Sequence, residues 1–333
     1  MTPQTAGGSP KTYAVGVDLG GTNLKVALVE RGQGIVHRLS VPTDADGGTE
    51  RVLDRIADGI ARAATHLPDG ATFAGIGIGA PGTVLLDRAT VPVMTNFAGW
   101  EDVDLPARLA PRLAQRTLHL GGPVLVDNDA NVAALGSAHF GAGQPFGTFL
   151  MVTIGTGVGG AIVIDRRVFR GVAGAAGEIG HISVDYDGPY TRAGVAGAVE
   201  AYLGQRYLSE HARDMLRTRD TSLHATAGPD LVDLTPHALS TAADAGDAGA
   251  IEVLAWAGHK LGCALASAVN LLDIRTVVVG GGVAAAGDWL LEPARAALRR
   301  SVMPAMRDGL TVVQETRGND VALLGAACLV FDA

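Results

Sequence analysis

The sequence predicts two α/β lobes of related topology, each a mixed β-sheet flanked by helices, facing a shared cleft. Three observations predict it. The 333 residues suit about two domains of ~150 residues each. A strand–glycine turn–strand unit occurs twice, at Val15–Leu28 and at Met151–Ile164. After each unit, short β-branched runs alternate with segments of helical period, the pattern of an α/β lobe. The expected division is an N-terminal lobe over 13–127 and a C-terminal lobe over 128–317. A closing helix over about 318–333 packs back on the first lobe, and residues 1–12 form a disordered tail.

The elements follow in order. Tyr13–Val17 is an apolar run entering the Gly20-Gly21 turn, and Leu24–Glu30 and Ile35–Val41 complete a three-strand meander. Glu50–His66 carries Val52, Ile56, Ile60 and Ala64 on one helical face. Phe73–Gly79 is a strand ending in Ala80-Pro81-Gly82; Leu105–Gln115 is a helix. Val124–Val126 is a strand running into Asp127-Asn128-Asp129, and Ala130–Phe140 is the helix behind it. The pattern then restarts with the strand Phe149–Ile154, the glycine turn Gly155–Gly160 and the strand Ala161–Asp165. Gly174–Glu200 is a long Gly-rich loop, and Ala201 to about Arg217 and Ile251–Leu271 are helices. Val277–Val279 is a strand ending in three glycines. Leu290–Arg299 is helical, Thr311–Gln314 a strand and Ala322–Val330 the closing helix.

Composition excludes several function classes. The chain is 47% apolar and 18% charged, a globular balance, and its net charge of −8 disfavours nucleic-acid binding by bulk electrostatics. Two cysteines, Cys263 and Cys328, make neither a disulfide framework nor a four-cysteine zinc site, and both read as buried thiols. The polar start shows no signal peptide, and Ala248–Leu272 carries Glu252, His259 and Lys260, a poor membrane span. A cytoplasmic protein is expected. With three lysines, none after G-x-x-x-x-G, a Walker-type P-loop is excluded; a G-x-S-x-G elbow is absent.

Three glycine clusters point to phosphate. In Asp18-Leu19-Gly20-Gly21-Thr22 the main chain can approach a ligand, N–H groups and the Thr22 hydroxyl can hold phosphate oxygens, and Asp18 is placed to hold Mg²⁺ through water. Lys25, on the strand leaving the turn, is grouped with them. A tight hairpin with a capping Asp would look the same. Gly155-Thr156-Gly157-Val158-Gly159-Gly160 matches G-x-G-x-x-G, but a strand follows rather than a helix, so the dinucleotide reading fails and a phosphate hairpin offering Thr156 and Gly157 survives. Gly280-Gly281-Gly282 suits close passage of a nucleoside, with Gly281 and Gly282 nearest it; a strand-to-helix bend is the alternative.

The polar groups complete the pattern. Phosphoryl transfer to an alcohol needs a carboxylate at the hydroxyl, and Asp129 is the candidate base. One of Asp127, Asn128 and Asp129 also caps the following helix. Glu178 and His181 can fork across vicinal hydroxyls or stand as a plain surface pair; a zinc helix would need further ligands. Asn96, in Thr95-Asn96-Phe97, and Glu200, at a helix start, carry little signal alone.

Four stretches together resemble the ROK family of sugar kinases and repressors: Asp18-Leu19-Gly20-Gly21-Thr22, Asp127-Asn128-Asp129-Ala130-Asn131, Thr153 through Gly160, and Gly177-Glu178-Ile179-Gly180-His181. The resemblance runs from about Tyr13 to Val330 and implies the two-lobed actin-like ATPase (ribonuclease H-like) fold of the actin, hexokinase and Hsp70 proteins. It implies ATP and Mg²⁺ between the lobes and Asp129 as base. It further implies sugar contacts at Asn96, Asn128, Glu178, His181 and Glu200, Gly79 lining the pocket, and a homodimer. Repressors of the family carry an N-terminal helix-turn-helix, which the short segment before the first strand does not fit.

One departure stands out. After its histidine the family runs through C-x-C-G-x-x-G-C, with a zinc ion joining cysteines and histidine. Here those positions fall on Thr191, Ala193 and Ala198, while Asp187-Gly188-Pro189 and Glu200 stay in place. No structural zinc is expected, and the loop is expected to be held by packing through Tyr186 and Tyr190. The implied activity is phosphorylation of the primary hydroxyl of a hexose, glucose by default. The alternatives are a kinase of a kanosamine-type amino sugar or a C7 cyclitol, a polyphosphate donor in place of ATP, and a non-catalytic sugar sensor.

Overall fold

The computed structural model describes residues 11–116 and 121–331. Residues 1–10 of the expected tail, and the last two of the closing helix, lie outside the described residues. The chain divides into two compact units. One contains the described residues up to Phe140, Gly171–Ala175 and the segment from Asp320; the other contains Gly141–Arg170 and Ala176–Asn319. The chain therefore passes from one unit to the other one helix later than the 127/128 boundary read from the sequence.

In the first unit β1 (Thr12–Leu19), β2 (Asn23–Glu30) and β3 (Gly34–Pro42) form an antiparallel meander. Helix α1 (Thr49–Ala64) leads to β4 (Thr72–Ala80). A small hairpin, β5 (Thr90–Val93) and β6 (Glu101–Asp104), precedes α2 (Leu105–Gln115), β7 (Val124–Asn128) and α3 (Asp129–Phe140). The sheet order is β3-β2-β1-β4-β7, with β4 and β7 parallel to β1's direction. Both faces are covered, which is why β1 and β2 read as nearly continuous apolar runs. Tyr13, Val15, Val17 and Leu19 pack under Val52, Ile56 and Ile60 of α1 on one face. Ala14, Ala27 and Val29 meet Leu323, Leu324 and Ala327 of the C-terminal helix on the other. That helix, Asp320–Phe331, lies directly on the sheet: a side chain on Gly16 or Gly77 would stand 2.1 Å or 1.7 Å from its carbonyl oxygens.

The second unit repeats the plan. Strands β8 (Phe149–Ile154), β9 (Val158–Ile164) and β10 (Arg167–Phe169) form an antiparallel meander. Helices α4 (Glu200–Leu203), α5 (Gln205–Leu216), α6 (Leu223–Ala227), α7 (Pro236–Asp244) and α8 (Ala248–Leu272) lead to β11 (Thr276–Gly280). Helix α9 (Asp288–Ser301), β12 (Thr311–Gln314) and the C-terminal helix, α10, complete the chain. The order β10-β9-β8-β11-β12, with β8, β11 and β12 parallel, matches the first sheet strand for strand.

Three sequence expectations are corrected. The second glycine turn is confined to Gly155–Gly157, because β9 already pairs from Val158. Gly160 is a strand residue whose absent side chain admits the Gly177 carbonyl, 2.4 Å from where a Cβ would stand. The helix read over 201–217 is broken at Gly204, whose ψ of 137° is extended. Cys328 is buried as expected, but Cys263 on α8 is half-buried.

Candidate active site

In the first unit the functional side chains come from strand ends. The register sets Asp18 of β1 beside Lys25 of β2 and Gly79 of β4, and Gly79 beside Asp127 of β7. Lys25 Nζ lies 3.2 Å from Asp18 Oδ2, and both side chains keep some solvent access. The hairpin beyond them is closed by Gly20 N–H donating to the Asn23 carbonyl (3.2 Å), leaving Gly21 and Thr22 exposed. Only glycine fits at position 20, since a Cβ there would stand 2.7 Å from the Asn23 carbonyl oxygen.

A residue that the sequence reading passed over fixes this hairpin. Thr43, fully buried just after β3, donates its hydroxyl to the Gly20 carbonyl (2.6 Å) and its N–H to the Thr22 carbonyl (3.0 Å). The sequence signal for it is faint: one hydroxyl where a strand ends, far along the chain from its partner.

Asn96 is exposed, and its Cβ lies 3.9 Å from where a Gly21 side chain would begin, which sets it beside the Gly20-Gly21 hairpin. Its loop is pinned by buried Phe97 and Trp100, whose rings meet edge-on at 5.8 Å, and by Trp100 Nε1 donating to the Val91 carbonyl. Gly79 owes its missing side chain to packing: a Cβ would stand 2.5 Å from Val132 Cγ2 on α3.

The Asp127-Asn128-Asp129 run divides its work. Asp127 is fully buried and accepts from Asn128 N–H and Asn131 Nδ2, each at 2.8 Å. Asn128 is the helix cap: its Oδ1 accepts from Ala130 N–H (2.8 Å) and Asn131 N–H (3.3 Å), while its Nδ2 donates to the Gly82 carbonyl. Asp129 opens α3, and its Oδ1 accepts from Ala130 N–H at 2.8 Å. The positive end of the helix dipole favours a carboxylate at that position.

The second unit brings together the other set. The Gly155–Gly157 turn exposes Thr156 and is closed by Gly155 N–H on the Gly157 carbonyl (2.9 Å). Because β9 leaves this turn, no helix N-terminus follows its glycines, so the dinucleotide geometry is not made. Gly281 lies against the end of β8, where a Cβ would stand 2.4 Å from the Ile154 carbonyl oxygen, and its φ of +91° also demands glycine. Gly282 has open space around it. The third glycine cluster therefore adjoins the second at the ends of parallel β8 and β11.

Glu178 and His181 flank a single 3-10 turn, Ile179–His181. Gly180 lets this turn lie on β9, since a Cβ would stand 1.9 Å from the Val158 carbonyl oxygen. Glu178 Oε2 and His181 Nε2 are 3.8 Å apart and both partly exposed, whereas His181 Nδ1 is buried without a hydrogen-bond partner. Glu200 Oε2 accepts from Val158 N–H (3.0 Å) and would be 2.5 Å from a Cβ on Gly157, which puts this carboxylate against the glycine turn. Tyr186 and Tyr190 do not hold the loop; they are 94% and 70% exposed. The aromatic that does is Tyr202, which is buried and whose hydroxyl donates to Asp185 Oδ2 at 3.1 Å. Tyrosines in a polar loop face water, whereas Tyr202 sits on an apolar helix.

The ROK family profile matches residues 14–333. The chain is 36% identical over 328 residues to a glucokinase of Halalkalibacterium halodurans, covering 96% of this chain and 94% of that one. It is 32% identical over 323 residues to a glucokinase of Thermotoga maritima, covering 96% and 98%. Among solved structures, a ROK family glucokinase from Streptomyces griseus in complex with glucose and AMPPNP superposes with a TM-score of 0.81 at 31% identity, covering 96% of this chain and all of that one.

Proposed function

The chain belongs to the ROK family and is a sugar kinase, and from that premise we propose that it transfers the γ-phosphoryl group of Mg-ATP to the primary hydroxyl of glucose. The observation that carries this reading is the row Asp18–Gly79–Asp127 across β1, β4 and β7, which runs directly into Asp129 at the start of α3. It sets a candidate base and a candidate metal ligand at the ends of parallel strands, where α/β folds gather reacting groups. The glucokinases among the relatives support glucose as the acceptor.

In this mechanism Asp129 accepts the proton of the sugar hydroxyl as that oxygen bonds to the γ-phosphorus. The bond from phosphorus to the bridging oxygen breaks, and its electron pair leaves with ADP. The exposed Gly21 and Thr22, with Thr156 and Gly157, offer backbone and hydroxyl donors to the phosphates. Lys25, held by Asp18, adds a positive charge. Gly282, with open space around it beside Gly281, leaves room for the nucleoside. Mg²⁺ takes one or two carboxylates alongside waters and phosphate oxygens, so the single carboxylate of Asp18 fits it. When bound, the ion spreads the phosphate charge. Glu178 and His181 offer an acceptor and a donor to neighbouring ring hydroxyls. Glu200, Asn96 and Asn128 are the further sugar contacts of this reading, with Gly79 lining the pocket.

The test is ADP release from Mg-ATP against glucose, mannose, fructose, N-acetylglucosamine, kanosamine, inositol and a C7 cyclitol, with a no-acceptor blank. Fast turnover on glucose supports the proposal. Turnover confined to an amino sugar or cyclitol overturns glucose as acceptor, and sugar binding without ADP release overturns catalysis.

A further inference from the structure

The family's zinc does not fit this loop. At the three cysteine positions Ala193 and Ala198 carry only methyl groups, and the Thr191 hydroxyl accepts Val195 N–H within its own turn at 3.3 Å. The buried Nδ1 of His181 would supply one ligand, and a structural zinc needs four. Among the described residues no three His, Cys, Asp or Glu side chains gather to hold a metal.

A different fastening is built here. The chain after His181 and the chain before Glu200 run antiparallel. Val199 N–H donates to the Ile182 carbonyl (2.9 Å), Val184 N–H to the Gly197 carbonyl (2.8 Å), and Ser183 bridges to Ala198. Beyond the Ile182–Val199 pair one arm leads back into the 3-10 turn that ends at His181, and the other enters α4 at Glu200. The far end is pinned by side chains. Asp185 Oδ2 accepts from the Tyr202 hydroxyl (3.1 Å) and lies 3.5 Å from Lys260 Nζ of α8; that ammonium also stands 4.3 Å over the Tyr202 ring. Tyr202 is wedged between Trp256 and His211, with ring centroids 5.8 and 5.5 Å away. Asp185 is pulled below its ordinary range, first by the Tyr202 hydroxyl; burial and then Asp185 push the Tyr202 hydroxyl up to about 12.

We infer that Asp185, Tyr202 and Lys260 form a metal-independent clasp that fastens together the two arms carrying His181 and Glu200 for the sugar. They are positioning residues, acting through the ladder rather than on the substrate, and the inference rests on the proposed sugar site. The clasp joins both arms of the loop to α8, so releasing it frees the arms to slide while the glycine turns on β8 and β9 stay paired. The sugar and nucleotide constants therefore respond separately.

Tyr202→Phe keeps the ring packing and removes only the hydroxyl; Asp185→Asn keeps the shape and removes the charge. Loss of a hydrogen bond to a charged group predicts a rise of about tenfold in KM for the sugar in either variant, with kcat and KM for ATP within about twofold of the parent. The double variant is expected to match the worse single one, because the two side chains act as a unit. Trypsin cleavage after exposed Arg192 reads the loop without activity, and is expected to speed up about tenfold in Tyr202→Phe by the same free-energy arithmetic. An unchanged sugar KM in both variants, an equal rise in KM for ATP, or an unchanged cleavage rate overturns the clasp. A sugar KM of the parent that rises on chelation and recovers with zinc also overturns it. If the parent turns over no sugar, the proposed function fails, and the cleavage rates still decide whether the clasp exists.

Discussion

Thr43→Val probes the Gly20-Gly21 hairpin, and its proposed hold on phosphate, apart from the rest of the molecule. The site is fully buried, so valine occupies the threonine's space with a methyl in place of the hydroxyl and keeps the N–H bond to the Thr22 carbonyl. What disappears is one donor, 2.6 Å from the Gly20 carbonyl, at the residue where no side chain can be tolerated. A lost neutral hydrogen bond costs about 1 kcal/mol net, and an acceptor left partly dry raises that to about 2. If the whole amount is felt in the bound hairpin, KM for ATP rises about 5- to 30-fold. The assay is steady-state kinetics with each substrate varied at saturation of the other, on the parent, Thr43→Val and Thr43→Ser. Serine keeps the donor and is expected near the parent. A valine variant whose KM for ATP stays within twofold of the parent refutes the reasoning, as does one whose sugar KM moves by the same factor.

Asp129→Asn is expected to bind sugar in calorimetry at near-parental affinity while kcat falls by about 10²–10⁴, the usual weight of a positioned base. Gly180→Ala drives a methyl into the Val158 carbonyl, backbone that cannot step aside; a loss of more than about 2 kcal/mol in denaturant unfolding is expected, with sugar affinity falling alongside it. Asp247 caps α8 through Ala250 N–H and takes the Thr221 hydroxyl and both the N–H and the hydroxyl of Ser222; burial pushes its carboxyl up, but these donors prevail and hold it at about 2. That depressed value contributes stability in full above about pH 4, lost as pH falls toward 2. Asp247→Ala is therefore expected to cost about 1–2 kcal/mol at neutral pH in urea unfolding, and the gap to the parent is expected to close as pH falls through that window.

The fold was legible where local chemistry and tertiary role coincide. The hairpin at Gly20 and the one at Gly155 announce themselves because a tight turn between two apolar strands requires glycine and the strands require β-branched residues. Gly160 shows the limit: a glycine kept for a neighbouring carbonyl looks, in sequence, like one kept for a turn. The break at Gly204 was hidden for a similar reason, since the apolar period continues through it and the bend is set by packing around Glu200. In the candidate site, Asp127, Asn128 and Asp129 were found together, but which of them caps α3 depended on side-chain rotamers. Thr43 and Asp185 were missed because their partners lie 23 and 17 residues away, and Lys260 lies 75 residues from Asp185. Periodicity carries no information about such pairings.

The repeated topology also explains why the proposed chemistry concentrates in one unit. Asp18 and Gly79 are paired across β1 and β4, and the matching pair across β8 and β11 is Thr153 and Gly280. Where β7 ends in buried Asp127, the residue after β12 is buried Glu315, which accepts from Ala142 and Arg317 N–H groups. Both units thus keep a buried carboxylate that organises backbone at the end of an edge strand, a structural use open to either copy of the plan. Only the first copy adds a second carboxylate on the strand beside its glycine hairpin, and only there does the buried acid run into a helix-opening aspartate. The second copy has Thr153 at the matching strand position, and the carboxylate against its turn, Glu200, comes from α4 and is taken up by Val158 N–H. Phosphate oxygens repel carboxylates unless a cation intervenes, so the hairpin flanked by Asp18 calls for Lys25 or a metal. The two hairpins are alike in backbone, and the strand-borne carboxylate with its lysine, found at the first, is what assigns metal binding to Asp18 in the proposed reaction, with proton transfer at Asp129.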